Sequence, residues 1–136
     1  MKTKPVLALE DAKKMAAASE AEALANKWLV SIAICDDGGN LLWLQRLDGA
    51  PPATAPIAAE KARTAALIRR PTKAFEDAIN AGRIALMSTQ AISGILEGGE
   101  PVVVDGHVVG AIGISGQRPP EDAQILQRGL KALAAR

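Results

Sequence analysis

The chain is poor in the residues that build disulfides, zinc sites and aromatic pockets. Its 136 residues include one cysteine, one histidine, one phenylalanine and two tryptophans, and no tyrosine. A single cysteine excludes an intramolecular disulfide. One cysteine and one histidine cannot form an ordinary Cys/His zinc site. We therefore predict no metal site of that kind, and the chain offers few aromatic rings to line a large flat ligand.

Neither sign of charge dominates, and no apolar run is long. Lysine and arginine number 16 and acidic residues 15, which gives a formal net charge of +1. Phosphate binding needs a concentrated basic field, so the charge argues against a nucleic-acid partner. The first residues lack the apolar core of a signal peptide, and no later stretch is long enough to cross a bilayer. We expect a cytoplasmic protein without a membrane partner.

The composition is that of a chain able to fold around a core. Apolar residues make up 49% of the sequence and charged residues 23%, which is typical of globular proteins. The length is that of one compact domain. We therefore predict a single domain over residues 1–136.

Helical and strand patterns follow one another in an order that indicates an α+β fold. Helices are predicted at residues 9–27, 54–69, 73–81 and 119–135. Strands are predicted at residues 28–35 and 41–46, and on both sides of Asp105-Gly106. An Asp-Gly pair suits a type I′ hairpin turn because both central residues need positive φ. Residues 84–96 fit either a strand or an irregular crossing. Hairpins pair neighbouring strands directly, so the sheet is expected to be antiparallel, with helices packed against it.

Individual residues predict how these elements begin and pack. Thr72 is placed to cap the third helix. Asp122 is expected to stabilise the N-terminus of the last helix through the helix dipole. Gly110 and Gly113 lie inside a predicted strand, where glycine marks a bulge or a close backbone approach rather than a phosphate-binding turn. In the first helix, small residues at helical spacing predict close packing: Ala12, Met15, Ala16, Ser19 and Ala23.

Several short motifs carry a resemblance to a known family. They are ICDDGG at residues 34–39, RLDGA at 46–50, AEKARTA at 59–65, RPT at 70–72 and GGEPVVVDGHVVGAIGISG at 98–116, with Asp122 shortly after. In this order they resemble the GlcG/HbpS-like (haem-degrading-type) proteins, a family that also occurs as the C-terminal domain of some corrinoid adenosyltransferases. The resemblance covers nearly the whole chain. It implies a profilin-like fold with a five-stranded antiparallel sheet flanked by helices, a homo-oligomer, and haem or a related tetrapyrrole as the small-molecule ligand.

A haem ligand requires an axial donor. The candidates are His107, Cys35, Met15 and Met87, and His107 is the first choice on chemistry. The alternative for His107 is a solvated residue beside a hairpin turn. The alternative for Cys35 is a small buried apolar residue.

A second hypothesis is an enzyme, such as a lyase or isomerase acting on a carboxylated metabolite. Lys61 could act as a base or hold a carboxylate, Arg46 could clamp an anion and Asp48 could serve as an acid or base. The alternative is a solvated helix face around Lys61 and a structural Arg46–Asp48 pair.

Both ligand hypotheses place the small molecule between the Arg46 loop, the Lys61 helix and the segment Gly98-Gly99. Glu60 and His107 complete the predicted ligand contacts. A third hypothesis is a structural or regulatory oligomer that binds no ligand.

Overall fold

The computed structural model describes residues 1–134, which form four α-helices, a 3₁₀ helix and a four-stranded sheet. The helices are α1 (Leu9–Ala25), α2 (Thr54–Ile68), α3 (Thr72–Asn80) and α4 (Pro119–Ala134), and the 3₁₀ helix spans Ile84–Ser88. The strands are β1 (Ser31–Asp36), β2 (Leu41–Arg46), β3 (Gly99–Val104) and β4 (His107–Ser115).

The sheet consists of two hairpins joined along their inner strands. Its strand order is β2-β1-β4-β3, and every neighbouring pair is antiparallel. In the first turn, one carboxylate oxygen of Asp36 accepts hydrogen bonds from the backbone N–H groups of Gly38 and Asn40, both at 2.9 Å. In the second turn, Asp105 and Gly106 have φ values of 50° and 77°. The predicted positive φ at both central residues is confirmed.

The α+β class with an antiparallel sheet and flanking helices is confirmed, but the prediction of five strands is wrong. Residues 84–96 form the 3₁₀ helix and an irregular crossing within the described chain. This crossing is bound to α2 instead of to a strand: Arg63 donates to the Ala91 carbonyl at 2.6 Å, and the Ser93 N–H donates to the Thr64 hydroxyl at 3.1 Å. The more specific profilin-like description stays a prediction.

The first strand begins later than predicted, at Ser31 instead of Trp28. The Trp28 N–H donates to the Ala23 carbonyl at 2.8 Å, so this residue closes the end of α1. The last helix ends at Ala134 in the structure, and its predicted final residue, Ala135, lies outside the described residues. Across residues 1–134, the helices are too short or too polar to span a membrane.

One face of the sheet is covered by α1 and α4 and carries the larger apolar core. Ile32, Ile34, Ile112 and Ile114 of the central strands belong to this core. The predicted small-residue stripe of α1 is confirmed, since all five of its members are buried. These residues also bring α1 close to α4: the Ser19 hydroxyl donates to the Ile125 carbonyl at 2.9 Å.

The other face is covered by α2, which approaches the sheet very closely. Alanines of α2 pack against Ala33, Cys35 and Ala111. A Cβ atom placed on Gly113 would lie 2.2 Å from the Ala58 carbonyl oxygen of α2. This contact confirms that a strand glycine marks a close backbone approach, and it fixes the position of α2, which carries Lys61.

Candidate functional site

Lys61 points from α2 into the protein instead of into an open cleft. The residue is 4% exposed, and its Nζ atom donates to the Ile114 carbonyl of β4 at 2.8 Å. The same Nζ atom lies 3.7 Å from Oδ2 of Asp122, in the first turn of α4. Lys61 therefore links three elements: α2, β4 and α4.

The sequence did not indicate that Asp122 is the partner of Lys61. Its Oδ1 atom accepts a hydrogen bond from the Gln117 N–H at 3.0 Å. Burial raises the pKa of Asp122 to about 6, and the nearby Lys61 opposes that rise. Burial lowers the pKa of Lys61, and Asp122 partly offsets the effect. The predicted position at the start of the last helix is right, but the carboxylate also serves as the counter-ion of a lysine 61 positions away.

Gly98 and Gly99 lie directly against Lys61. Gly98 has a φ of 120°, and a Cβ atom there would lie 2.9 Å from the Lys61 Nζ atom. A Cβ atom on Gly99 would lie 2.4 Å from the Lys61 carbonyl oxygen. The structure thus brings together three residues that the sequence assigned to one site. Their contact is so close that a methyl group on either glycine would meet Lys61, so the glycines serve to admit α2. Their role as ligand contacts stays a prediction.

Thr72 holds the start of β3 and is not a helix cap, so that prediction is wrong. No side-chain cap bond forms at the N-terminus of α3, because the cap position is Pro71 and Thr72 already lies within the helix. The Thr72 hydroxyl instead donates to the Leu96 carbonyl and accepts from the Gly99 N–H, the latter at 3.0 Å. The hydroxyl therefore fixes the chain just where it passes Lys61.

Arg46, Asp48 and Glu60 are exposed. Arg46 lies opposite Ser31 in the sheet, and the Ser31 hydroxyl contacts the Thr54 hydroxyl of α2 at 2.8 Å. Paired residues share a face of the sheet, so Arg46 is on the α2 side. Within residues 1–134, neither Arg46 nor Asp48 forms a hydrogen bond or ion pair with Lys61. The catalytic roles of Lys61, Arg46 and Asp48 stay a prediction. A ligand contact at Glu60 also stays a prediction.

His107 owes its position to a β-bulge. Val102 pairs with Gly110 and Val103 with Val108, so Val109 is an extra residue without a partner on β3. An extra residue reverses the alternation of side chains beyond it. His107 is therefore on the same face as its partner Val104, the face that packs on α1 and α4. Without the bulge, His107 would be on the α2 face.

A cavity of about 550 Å³ lies on that face of the hairpin. Val102, Val104 and Val109 form one wall, Leu130 and Leu133 of α4 form another, and Leu7 comes from the chain before α1. The volume is within the usual range for small-molecule sites. Among the described lining residues, Asp11 and Lys131 carry charge. The cavity is thus an aliphatic space with charged groups among its lining.

The four candidate axial donors differ in access. Met15 and Cys35 are fully buried, and burial raises the pKa of the Cys35 thiol to about 12. Met87 is 70% exposed on the 3₁₀ helix, and His107 is exposed at the hairpin. His107 alone among the four is also paired with a residue that lines the cavity. An aliphatic cavity beside an accessible imidazole fits a flat apolar ligand that carries iron.

Comparisons with known proteins agree on one family. The family model described as "Haem degrading protein HbpS-like" matches residues 7–131. Protein GlcG of Escherichia coli strain K12 is 51% identical over 115 residues, which are 85% of each chain.

Two solved structures share the fold over nearly the full length of the chain. Protein ORFY of Klebsiella pneumoniae has a TM-score of 0.91 at 30% identity and covers 100% of this chain and 97% of its own. A double mutant of HbpS from Streptomyces reticuli has a TM-score of 0.88 at 32% identity. The match covers 98% of this chain and 90% of the HbpS chain.

Proposed function

Because the chain belongs to the HbpS-like family, we propose that it binds haem or a related tetrapyrrole in the cavity on the β3–β4 hairpin. The observation that carries this proposal is the position of His107 on the face that also bears the cavity's valines. The family supplies the class of ligand, and the bulge at Val109 supplies the reason why an imidazole is available there.

The distance between His107 and the cavity wall is short. His107 and Val104 are direct partners across the hairpin, and Cα atoms of such partners lie about 4.5–5.5 Å apart. His107 is outside the cavity lining itself, so its imidazole would contact a bound ring at the edge that extends past Val104. A bound haem would supply the iron, and His107 would hold it through a ring nitrogen, as histidine does in many haem proteins.

The aliphatic lining is compatible with this ligand in spite of the scarcity of aromatic residues. Valine and leucine side chains on two walls shield an apolar ring from water, and burial of apolar area is the main contribution to binding such a ligand. Stacking on aromatic rings is not required for that contribution. The scarcity of aromatics therefore does not argue against the cavity.

The enzyme hypothesis has less support because the amine of Lys61 is already engaged. It donates to the Ile114 carbonyl and faces Asp122, and Gly98 closes the space beside it. A base or a carboxylate-binding lysine needs an accessible nitrogen. The homo-oligomer implied by the family resemblance, the single domain and the cytoplasmic location stay predictions.

An absorbance titration with haemin tests the proposed function. The wild-type protein and a His107→Ala variant are titrated in parallel, with Met87→Leu as the control for the other accessible donor. We expect saturable binding with a shifted Soret band in the wild type and in Met87→Leu, and a changed spectrum and weaker binding in His107→Ala. Absorbance that rises without saturation in the wild type would refute the proposal. An unchanged spectrum in His107→Ala would remove His107 from the site.

A further inference from the structure

We infer that Lys131 anchors a carboxylate of the bound ligand, so that the cavity selects apolar molecules with an acidic side chain at one edge. The inference rests on the proposed function, because it concerns the same cavity. It adds a contact on α4, in the lining of the same cavity, and makes the ligand's acidic group part of recognition.

The two charged residues of the lining differ in their surroundings. Asp11 accepts a hydrogen bond from the Ala8 N–H at 2.9 Å, so its carboxylate serves the N-terminus of α1, where negative charge is favoured. Lys131 is exposed in the last turn of α4. Within the part of the chain that the structure describes, no carboxylate forms an ion pair with Lys131. Among residues 1–134, its ammonium group is therefore open to an anion from outside.

The shape of a lysine side chain suits this role. Its hydrocarbon stem can lie along an apolar wall while the ammonium group stays in water at the rim. Leu130 and Leu133, close to Lys131 in sequence, line the same cavity. A ligand carboxylate cannot enter the aliphatic interior without a large desolvation cost. The acidic edge of the ligand must therefore remain at the rim, where Lys131 can pair with it.

The two proposed contacts come from different walls. His107 belongs to the hairpin and Lys131 to α4. A ligand held at both would lie with its apolar body across the valines and its acidic edge toward the helix. Binding would then depend on the carboxylate even though the carboxylate contributes no apolar contact.

The test compares haemin with its dimethyl ester, in which both carboxylates are blocked. Each compound is titrated against the wild type and the variants Lys131→Met, Lys131→Arg and Lys14→Met. Lys14 is an exposed lysine of α1 that does not line the cavity, so its variant controls for net charge. We expect the wild type, Lys131→Arg and Lys14→Met to bind haemin about two- to fivefold more tightly than the ester, the gain that one ion pair near the surface can supply. Lys131→Met is expected to bind the two equally.

The outcomes separate this inference from the proposed function. Saturable binding of both compounds with equal affinity in the wild type would overturn the role of Lys131 and leave tetrapyrrole binding standing. A preference for haemin that persists in Lys131→Met would do the same. Failure of both compounds to bind saturably would overturn the proposed function itself. Thermal unfolding of Lys131→Met shows whether the variant is folded, and Lys131→Arg tests the charge independently.

Discussion

Lys61 and Asp122 face each other at the junction of α2, β4 and α4, with 3.7 Å between Nζ and Oδ2 and side chains that are 5% and 3% exposed. Each partner has a second bond to the backbone, Lys61 to the Ile114 carbonyl and Asp122 to the Gln117 N–H. Two charges taken out of water gain stability only when their remaining polar atoms are satisfied. The pair therefore acts as a structural link in the fold.

Removing one charge of the pair should cost more than removing both. Lys61→Met keeps much of the side-chain volume but leaves Asp122 buried without its counter-ion, so we expect a loss of about 3–5 kcal/mol in the free energy of unfolding at pH 7. The double variant Lys61→Met/Asp122→Asn should be more stable than Lys61→Met by at least about 1 kcal/mol, because an amide oxygen can still accept from Gln117 and no lone charge remains.

Urea denaturation followed by circular dichroism measures this comparison. Lys73→Met is the matched control, since Lys73 is half exposed and pairs with Asp77 at the surface. Its effect should remain below about 1 kcal/mol. Equal stability of Lys61→Met and the wild type would show that the buried pair contributes nothing.

The raised pKa of Asp122 predicts a specific dependence of stability on pH. The carboxyl has a pKa of about 6 in the folded protein against 3.8 for the unperturbed group. Between these values the folded state binds more protons than the unfolded state, so this group's contribution to stability falls as the pH rises. In Asp122→Asn that fall is absent. The difference in the free energy of unfolding between the wild type and Asp122→Asn should therefore shift in favour of the variant as the pH rises from about 4 to about 6.

Denaturation curves at half-unit steps from pH 4 to pH 7.5 test the prediction. Asp77→Asn serves as the control because Asp77 is exposed on α3, and the variant should keep the pH dependence of the wild type over this range. If the difference in free energy of unfolding between the wild type and Asp122→Asn does not change with pH, the buried carboxyl titrates near its ordinary pKa.

The helices and both hairpins could be predicted from the sequence because their signals are local. The turn at Asp105-Gly106 needs two positive φ values that this pair of residues provides, and the stripe of α1 follows helical spacing. Residues 84–96 were ambiguous because their conformation depends on bonds to α2, such as that from Ser93 to Thr64. No periodicity of the segment itself encodes those partners.

The candidate site could be predicted only in part. Lys61, Gly98 and Gly99 belong to the motifs quoted from the sequence, and the structure places them in contact, while their role in ligand binding stays a prediction. The counter-ion Asp122 was missed because its contact is set by how α4 packs on the sheet. The face of His107 depends on whether Val109 is paired, and two adjacent valines give no sign of a bulge. Long-range packing therefore decides the partner of Asp122, and a one-residue change of register decides the face of His107.

The contact of Gly99 with α2 predicts that even a methyl group is costly there. A Cβ atom on Gly99 would lie 2.4 Å from the Lys61 carbonyl oxygen and 2.9 Å from a Thr72 methyl carbon. The first of these is backbone that can yield only if α2 moves. Gly99→Ala should lower the free energy of unfolding by about 1–3 kcal/mol, as overpacking of a dense interior does. Thermal or urea unfolding measures the loss.

Gly38→Ala is the matched substitution at an open position. Its Cβ atom would lie 3.2 Å from the side chain of Asn40, which can adjust, and Gly38 has no positive φ. A change within about 0.5 kcal/mol is expected. Equal losses in the two variants would show that α2 does not rest on Gly99.

The burial of Cys35 predicts a thiol that does not react in the folded protein. Cys35 of β1 is fully buried, packed with Ala111 of β4 and the alanines of α2, and burial raises its pKa to about 12. Thiolate is the reactive form, so its concentration at pH 8 is very low and the reagent has no access. Ellman's reagent should label the native protein only as fast as it unfolds, and should label one thiol per chain at once in denaturant.

Ser88→Cys, at an exposed position of the 3₁₀ helix, should add one thiol that reacts immediately without denaturant. Rapid labelling of the native wild type would contradict the packing of α2 on the sheet, and it would return Cys35 to the group of accessible axial donors beside His107.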